Sequence, residues 1–316
     1  MVSRMTPSTG RSDEATESSG EDLGHLRESV RPLAALDDAD KIRLIRSERW
    51  IGYPQARMVI DHLETLLSWP DRQRMPNLLL LGPTNNGKSM IIEKFRRTHP
   101  PISLSDREQT PVLCMQMPPD PSPGRFYLAL LTALGTPTRP RNRVHELEQQ
   151  ALMLLRATGV RMLIIDELHN VLAGRDNVRR EFLNVLRFLG NELRIPLVAV
   201  GTRDAYLAIR TDPQLENRFH PMTLPVWTNT ADTRSLLASF TTSFPLRKPS
   251  HLTSPEMTDY LLTRSEGTIG ELTTLLTAAA VTAVDSGEEA ITSSVLTRTP
   301  YVGPTERCRQ FERHLA

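Results

Sequence analysis

The strongest chemical signal in the chain is the segment Gly82 to Ser89, whose sequence is Gly-Pro-Thr-Asn-Asn-Gly-Lys-Ser. It fits G-x-x-x-x-G-K-[ST] completely, and it stands after a short apolar run and before a helical pattern, as that motif requires. In such a loop the backbone N–H groups surround phosphates, Lys88 reaches the β- and γ-phosphates, and the Ser89 hydroxyl binds Mg²⁺. The segment therefore predicts a site for ATP and Mg²⁺. The expected nucleotide contacts here are Gly82, Pro83, Thr84, Asn85, Asn86, Gly87, Lys88, Ser89 and Met90.

Two adjacent carboxylates, Asp166 and Glu167, end a second apolar run that begins at Met162. Ligands of open α/β folds bind at the carboxyl ends of the strands, so this position favours a catalytic pair. Asp166 suits the Mg²⁺ shell, and Glu167 suits a base that orients the attacking water. The pair could instead merely cap a turn, but the upstream phosphate loop favours the catalytic interpretation.

Two further candidate side chains, Thr202 and Arg218, lie further along the chain. Thr202 comes directly after the apolar run 197–200, where its hydroxyl could sense the γ-phosphate or could simply cap the next helix. Arg218 lies past the next short helix, where it could stabilise transition-state charge in a neighbouring subunit. Considered without relatives, a lone arginine is more often ordinary solvated surface.

The secondary-structure elements that must position these residues are indicated by apolar runs that alternate with helical patterns. Runs at 77–81, 112–115, 162–165 and 197–200 alternate with helical patterns near 88–97, 126–134, 144–155 and up to about 189. Such alternation predicts an α/β fold with a parallel sheet covered by helices on both faces. No comparable strand follows Trp227, so a small α-helical lid domain is expected there.

Composition sets the limits of the domains and excludes some classes of protein. Residues 1–35 contain no aromatic residue and are rich in Ser, Thr, Asp and Glu, which predicts a disordered tail. The α/β domain is expected over 36–226, the helical domain over 227–300 and a tail over 301–316.

Only Cys114 and Cys308 occur, which argues against a disulfide framework or a cysteine metal cluster. Without a membrane-length apolar run or a signal peptide, a cytoplasmic location and no membrane partner are expected.

The charge balance bears on nucleic acid. A formal net charge of +1 argues against a protein that coats DNA by bulk electrostatics. DNA binding must then come from a local patch or be multiplied by self-assembly. The candidate phosphate contacts, any of which could be solvated surface, are Arg96, Arg97, Arg125, Arg139, Arg141 and Arg143.

Taken in order, these motifs closely resemble TniB, the AAA+ regulator of transposition related to TnsC. The resemblance runs from about Ile42 to Ala283, and its most distinctive piece is the Thr-Asn-Asn-Gly-Lys loop preceded by Met-Pro-Asn. The stretches that carry it are Trp50 to Pro54, Arg74 to Leu79, Thr84 to Ser89, Met162 to Glu167, Val200 to Thr202 and Asn217 to Phe219.

The resemblance implies a P-loop NTPase of the AAA+ type that forms a ring or helical oligomer on double-stranded target DNA when loaded with ATP. It implies recruitment of an integrase-type transposase and a TniQ-type target selector. It also makes Thr202 the expected first sensor and Arg218 the expected trans-acting finger, and it adds Ile51 and Tyr53 to the nucleotide contacts. The DNA contacts carried over from it are Arg125, Thr138 and Arg139.

One departure from the wider AAA+ group concerns the lid. Its helix often presents an arginine to the γ-phosphate, whereas this sequence has Gly270 at about that place. The lid helix therefore lacks the arginine that would couple it to hydrolysis at the γ-phosphate, and slow, regulatory hydrolysis is expected.

Two other classes of function compete with a DNA-bound adaptor. An AAA+ motor or helicase loader needs aromatic grip residues near the loop Pro118 to Pro123, and none precedes Phe126. A small-molecule kinase is permitted by the phosphate loop but explains neither the Asp-Glu pair nor the helical domain.

Overall fold

The computed structural model describes residues 22–105, 108–137 and 143–315. Short 3-10 helices occupy Arg31–Ala35 and Leu168–Ala173. The strands are β1 (Asn77–Leu81), β2 (Ile102–Ser103), β3 (Glu108–Gln109), β4 (Val112–Gln116), β5 (Met162–Asp166), β6 (Leu197–Gly201) and β7 (Phe219–Thr223). The helices are α1 (Asp38–Arg46), α2 (Pro54–Leu67), α3 (Lys88–Thr98), α4 (Pro123–Ala133), α5 (Val144–Ala157), α6 (Asp176–Leu193), α7 (Arg203–Arg210), α8 (Pro213–Glu216), α9 (Ala231–Thr241), α10 (Pro255–Ser265), α11 (Ile269–Asp285), α12 (Ser293–Arg298) and α13 (Pro304–Leu315).

The main sheet of the described chain has five strands in the order β4-β5-β6-β1-β7, and every neighbouring pair is parallel. The predicted parallel sheet is therefore confirmed. Because β1 and β5 both flank the central strand β6, their carboxyl ends bring the phosphate loop and the Asp-Glu pair to one edge.

Both faces of the sheet are covered, as the continuous apolar runs predict. Leu78 and Leu80 of β1 pack into one hydrophobic cluster, which includes α2, α3 and the helical domain. Leu79 and Leu81 point to the opposite cluster, which is formed with α4, α5, α6 and α7. Side chains alternate along a strand, so a strand buried on both faces must be apolar at every position.

The sequence analysis missed the edge strand β7. Its residues Phe-His-Pro-Met-Thr are mostly exposed and include Pro221, so the strand lacks the apolar run that identifies its neighbours. Proline removes a backbone donor, which an edge strand tolerates because one side has no partner strand.

The predicted helical domain is confirmed by α9 to α12, whose apolar residues join the first cluster. Three of these helices begin at hydroxyl caps: Thr230, Ser254 and Thr292 each accept a hydrogen bond from a backbone N–H three residues later. Such caps satisfy N–H groups that the first turn leaves free.

In the described part of the chain no single helix is long and apolar enough to cross a membrane; α10 and α11 together have that length and composition but are bent by 109°.

The N-terminal segment differs from expectation. Residues 22–35 pack on the helical domain, with Leu26 and Ala34 buried, and the N–H of Arg27 donates to the carbonyl of Thr242 at 3.1 Å. The prediction of disorder up to residue 35 is therefore wrong for residues 22–35, because this segment buries apolar side chains and hydrogen-bonds to the helical domain. Residues 1–21 lie outside the described structure.

Candidate active site

The phosphate loop connects β1 to α3 at the carboxyl edge of the sheet. Gly87, the residue before α3, has a φ of 83°, a left-handed conformation that glycine adopts without steric cost. Asn85 is also left-handed, with a φ of 59°, which is uncommon for a residue with a side chain. The loop therefore holds a fixed, locally strained shape at the start of a helix, where backbone N–H groups favour anions.

Lys88 and Ser89 occupy the first turn of α3 and face different partners. The Lys88 ammonium donates to the carbonyls of Gly82 and Pro83 at 2.9 and 2.6 Å. Burial lowers the pKa of Lys88 from its ordinary value, and the carboxylates of Asp166 and Glu167 act in the opposite direction. The cation thus lies in a partly desolvated loop, where its charge acts strongly on a phosphate.

The residues expected to hold Mg²⁺ are already in contact. The Ser89 hydroxyl donates to Asp166 Oδ2 at 2.6 Å, and the backbone N–H of Glu167 donates to Asp166 Oδ1 at 2.8 Å. A hydroxyl and a carboxylate are hard oxygen donors of the kind that Mg²⁺ prefers. The donor set therefore fits Mg²⁺, and Ser89 and Asp166 are the residues that would hold it.

Glu167 stands apart from Asp166 in both backbone and environment. Its φ is 57°, left-handed, and its side chain is 41% exposed, with Oε2 lying 3.1 Å from His169 Nε2. An exposed carboxylate at the mouth of the site suits a base that orients water, whereas the buried Asp166 suits a metal ligand. Backbone strain at such a position is often associated with function.

His169 is a site residue that the sequence analysis did not identify. It contacts Glu167, and its buried Nδ1 has no hydrogen-bond partner among the described residues. The available signal was its position two residues after Glu167, directly following the carboxylate pair. The contact indicates that His169 restrains the orientation of the Glu167 carboxylate.

One cavity of about 410 Å³ brings most of the predicted site together. Thr202 lines it beside Glu167 and His169; Gly82 and Pro83 form the loop's start but are not part of the lining. The remaining predicted residues that line it are Ile51, Tyr53, Thr84, Asn85, Asn86, Gly87, Lys88, Ser89 and Met90.

The end of the cavity away from Glu167 is apolar and suits the nucleobase of a nucleotide. Ile51 and Tyr53 are buried there, together with Phe240 and Phe244 from α9 and the following turn. The Tyr53 ring meets the Trp227 ring edge-on at 5.0 Å, and burial raises the pKa of Tyr53 to about 12, which keeps the phenol neutral. An apolar cavity next to a phosphate loop suits a nucleotide, whose base is apolar and whose phosphates are charged.

The lid helix α11 begins directly on the phosphate loop. The N–H of Gly270 donates to the carbonyl of Asn85 at 3.0 Å, and Asn85 Nδ2 donates to Glu271 Oε1 at 3.3 Å. Glu271 is buried and also accepts from Tyr301 at 2.9 Å and Arg307 at 2.6 Å. The phosphate loop therefore contacts the start of the lid helix through the backbone carbonyl and the amide side chain of Asn85.

Gly270 is required by this contact, because a Cβ atom there would overlap the side chain of Asn85. We expect Gly270→Ala to lower the free energy of unfolding by about 1–3 kcal/mol, the usual cost of overpacking. ATP affinity should fall with it, since Asn85 belongs to the loop. Equilibrium urea unfolding and nucleotide titration measure the two effects.

Two comparisons isolate the cause. Gly190→Ala, in a helix with only an ordinary contact to Leu197, should leave stability unchanged or raise it. In an Asn85→Gly background the added cost of Gly270→Ala should largely disappear, because the overlapping side chain is gone. An equal cost in both backgrounds would contradict the proposed contact.

Arg218 lies at the amino end of β7, and its carbonyl accepts from the N–H of Asn77 at 3.0 Å. The phosphate loop follows Leu81, whose partner in β7 is Thr223 at the other end. Five strand residues separate the two ends, about 16 Å at ~3.3 Å per residue. The structure therefore does not bring Arg218 to the phosphate site of its own chain.

The predicted DNA contacts are only partly visible. Arg125 is exposed near the start of α4, and its Nε lies 3.2 Å from Asp120 Oδ2. Thr138 and Arg139 lie outside the described residues. The DNA-binding assignment of all three stays a prediction.

Comparison with known proteins agrees with this geometry. A family model described as bacterial TniB protein matches residues 41–229, which is more than half of the 316 residues. No curated protein sequence matches the chain.

Solved structures show the same fold at low sequence identity. The Aeropyrum pernix ORC1 protein, in complex with DNA, has a TM-score of 0.55 and 16% identity, over 82% of this chain and 68% of that one. The A. pernix ORC2 protein, in ADPNP-ADP complexes, has a TM-score of 0.56 and 13% identity, over 81% and 71%. Cdc6p from Pyrobaculum aerophilum has a TM-score of 0.54 and 14% identity, over 81% and 68%.

The family match covers the phosphate loop, the carboxylate pair and Thr202, and the similar structures show the AAA+ fold with a helical region after it. The chain therefore belongs to the bacterial TniB protein family, and it is an ATPase with the AAA+ fold.

Proposed function

We propose that this chain is an ATP-dependent regulator of transposition that assembles as a ring or helical oligomer on double-stranded DNA. In that state it recruits an integrase-type transposase and a TniQ-type target selector. Membership of the TniB family supports this proposal. That the solved ORC1 structure is a complex with DNA is consistent with DNA as the ligand.

The observation that carries the proposal is the separation of the catalytic parts. The phosphate loop, Asp166, Glu167 and Thr202 share one edge of the domain, while Arg218 lies at the other end of β7. An arginine that stabilises transferring phosphate is a common part of NTPase sites. If Arg218 has this role, a second subunit must supply it, so hydrolysis is linked to assembly.

Within one site we assign each side chain a separate task. Lys88 holds the β- and γ-phosphates, and Ser89 and Asp166 hold Mg²⁺, which supplies positive charge to the phosphates when bound. Glu167 orients the attacking water, and Thr202 fixes the position of that water or of the γ-phosphate. The Asn85 contact to α11 replaces an arginine on the lid, which is consistent with slow, regulatory turnover.

Removing the base should separate binding from turnover. We expect Glu167→Gln to bind ATP and Mg²⁺ normally but to hydrolyse about a hundredfold or more slowly, the usual contribution of a general base. Because hydrolysis would end the assembled state, the variant should remain on DNA longer than the wild type. Single-turnover hydrolysis and dissociation from labelled duplex measure both.

Asp166→Asn is the contrasting variant. Its main effect should be weaker Mg²⁺ binding, whereas Glu167→Gln should leave Mg²⁺ binding normal. Loss of ATP binding by Glu167→Gln would show that the two carboxylates have been assigned the wrong roles.

DNA binding should require both ATP and self-association. With a net charge of only +1, one subunit offers few phosphate contacts, and an oligomer multiplies them by avidity. Backbone contacts carry no sequence information, so affinity should be similar on unrelated duplexes. We expect the double variant Arg125→Ala and Arg139→Ala to weaken binding equally on all of them. The salt slope should flatten by about 0.9 for each DNA phosphate that the variant no longer neutralises.

A salt titration of duplex binding with a non-hydrolysable ATP analogue tests this. Arg298→Ala, which removes an exposed arginine paired with Glu288 in the helical domain, is the matched control and should leave the slope unchanged. An unchanged slope in the double variant would place the DNA path elsewhere. Tight binding by ATP-free monomers would reject the assembly step.

A further inference from the structure

The Arg-Met-Pro-Asn stretch, residues 74–77, ends in the first residue of β1 and has a structural role that the nucleotide site does not explain. Met75 and Asn77 are buried, and Asn77 hydrogen-bonds to β6 and to the residue just before β7, on the two sides of β1. Its N–H donates to the carbonyl of Arg218 at 3.0 Å, and its Oδ1 accepts from the N–H of Leu197 at 2.9 Å. The stretch is therefore fixed against the segment that carries Arg218.

This arrangement forms a second cavity, of about 530 Å³, at the amino ends of β1 and β7. Three of its lining side chains are arginines: Arg72, Arg74 and Arg218. The other side chains at its wall include Gln214 and Asn217, which are neutral hydrogen-bonding groups. Met75 and Pro76 add an apolar part to its wall, and the cavity is large enough for more than a single small anion.

The positive charge of the cavity is not neutralised within the described part of the chain. No described carboxylate lies within ion-pair distance of Arg72, Arg74 or Arg218, and Arg218 donates only to the amide oxygen of Asn191, at 2.7 Å. The nearby acids are engaged elsewhere, as the pairs Asp71–Arg194 at 3.9 Å, Asp212–Arg187 at 3.4 Å and Glu216–Arg210 at 3.2 Å show. Three like charges around one concavity favour a multiply charged anion.

We propose that Arg72 and Arg74 join Arg218 in a three-arginine site for the terminal phosphates of the nucleotide bound by a second copy of this chain. This rests on the trans role of Arg218 in the proposed function. The chain's own phosphate loop is at the far end of the sheet, so the phosphate belongs to another molecule. Guanidinium groups suit this ligand because they bind phosphate oxygens in pairs.

Duplex DNA offers the same phosphate chemistry, so the experiment separates the two sources. The double variant Arg72→Gln and Arg74→Gln is compared with Arg218→Ala, and Arg194→Gln is the control at the same edge, since Arg194 pairs with Asp71 and does not line the cavity. Monomer ATP affinity, steady-state hydrolysis without DNA at assembling concentrations, and the salt slope of duplex binding are measured for each.

We expect the double variant to bind ATP as the wild-type monomer does and to hydrolyse it about tenfold or more slowly, given the usual contribution of charged hydrogen bonds. Mixing it with Glu167→Gln subunits should restore part of the activity. The latter subunits keep all three arginines, so they complete the site of a neighbour that still has its base. Arg194→Gln should hydrolyse at the wild-type rate.

Three results would overturn the inference. Normal hydrolysis by the double variant, with hydrolysis lost in Arg218→Ala, would remove Arg72 and Arg74 from the site while leaving the proposed function intact. A flattened DNA salt slope with normal hydrolysis would assign the cavity to DNA. Normal hydrolysis by Arg218→Ala would refute the trans arrangement itself, and the inference with it.

Discussion

Replacing Lys88 with alanine is expected to abolish nucleotide-dependent behaviour, with ATP affinity reduced on the order of a thousandfold. In the proposed site the lysine would supply two or more charge-assisted hydrogen bonds to phosphate, each contributing about 1.5–3 kcal/mol. Its position is fixed by the first turn of α3 and by the loop carbonyls of Gly82 and Pro83. Because the ammonium is partly desolvated, water cannot replace its charge effectively.

Nucleotide titration of the purified variant measures this, and ATP-dependent DNA loading should be lost in parallel. Lys94→Ala is the matched control, because Lys94 lies on the same helix but does not line the nucleotide cavity. Unfolding curves for both variants establish that the native fold is retained. Wild-type affinity in folded Lys88→Ala would refute the assignment of the phosphate site.

Replacing Arg218 with alanine is expected to leave monomer ATP affinity unchanged while hydrolysis falls on the order of a thousandfold, as for other NTPases that lose such an arginine. The reason is its place at the amino end of β7, remote from its own phosphate loop. Assembly should also weaken, because in the proposed function the arginine would contact the neighbouring subunit's nucleotide. Arg210→Ala, which removes an exposed arginine paired with Glu216, should have neither effect.

Mixing distinguishes a trans-acting arginine from one that acts within its own chain. Glu167→Gln and Arg218→Ala subunits are each expected to hydrolyse ATP far more slowly than the wild type, but an interface between them can combine an intact base with an intact arginine. Partial hydrolysis should therefore reappear, with a maximum at intermediate ratios. Activity that never exceeds the sum of the two separate variants would mean that Arg218 acts in cis or not at all.

The sequence alone predicted the parts of this protein whose information is local. A phosphate loop needs a fixed spacing between Gly82 and Ser89, and the Asp166-Glu167 pair needs only the end of a buried strand. Buried strands of a parallel sheet are apolar at every position, so four of the five main strands were visible as continuous runs. The family resemblance rested on the same local motifs and is confirmed by the family match.

Local information failed where stability came from distant partners. The edge strand β7 pairs with β1 through its backbone, and its polar residues and proline conceal it. Residues 22–35 bury Leu26 and Ala34 and hydrogen-bond to the helical domain more than two hundred residues away. Composition indicates the average cost of ordering a segment and carries no information about the surface that the rest of the chain offers to it.

Only the tertiary structure decided how the motifs relate to one another. It placed Asn85 against Gly270 and Glu271, which explains why a glycine stands on the lid helix. It also set Arg72 and Arg74 beside Arg218, about 140 residues further along, at the end of the sheet opposite the phosphate loop. Long-range backbone pairing and packing determine these contacts. The spacing of residues along the chain does not reveal them.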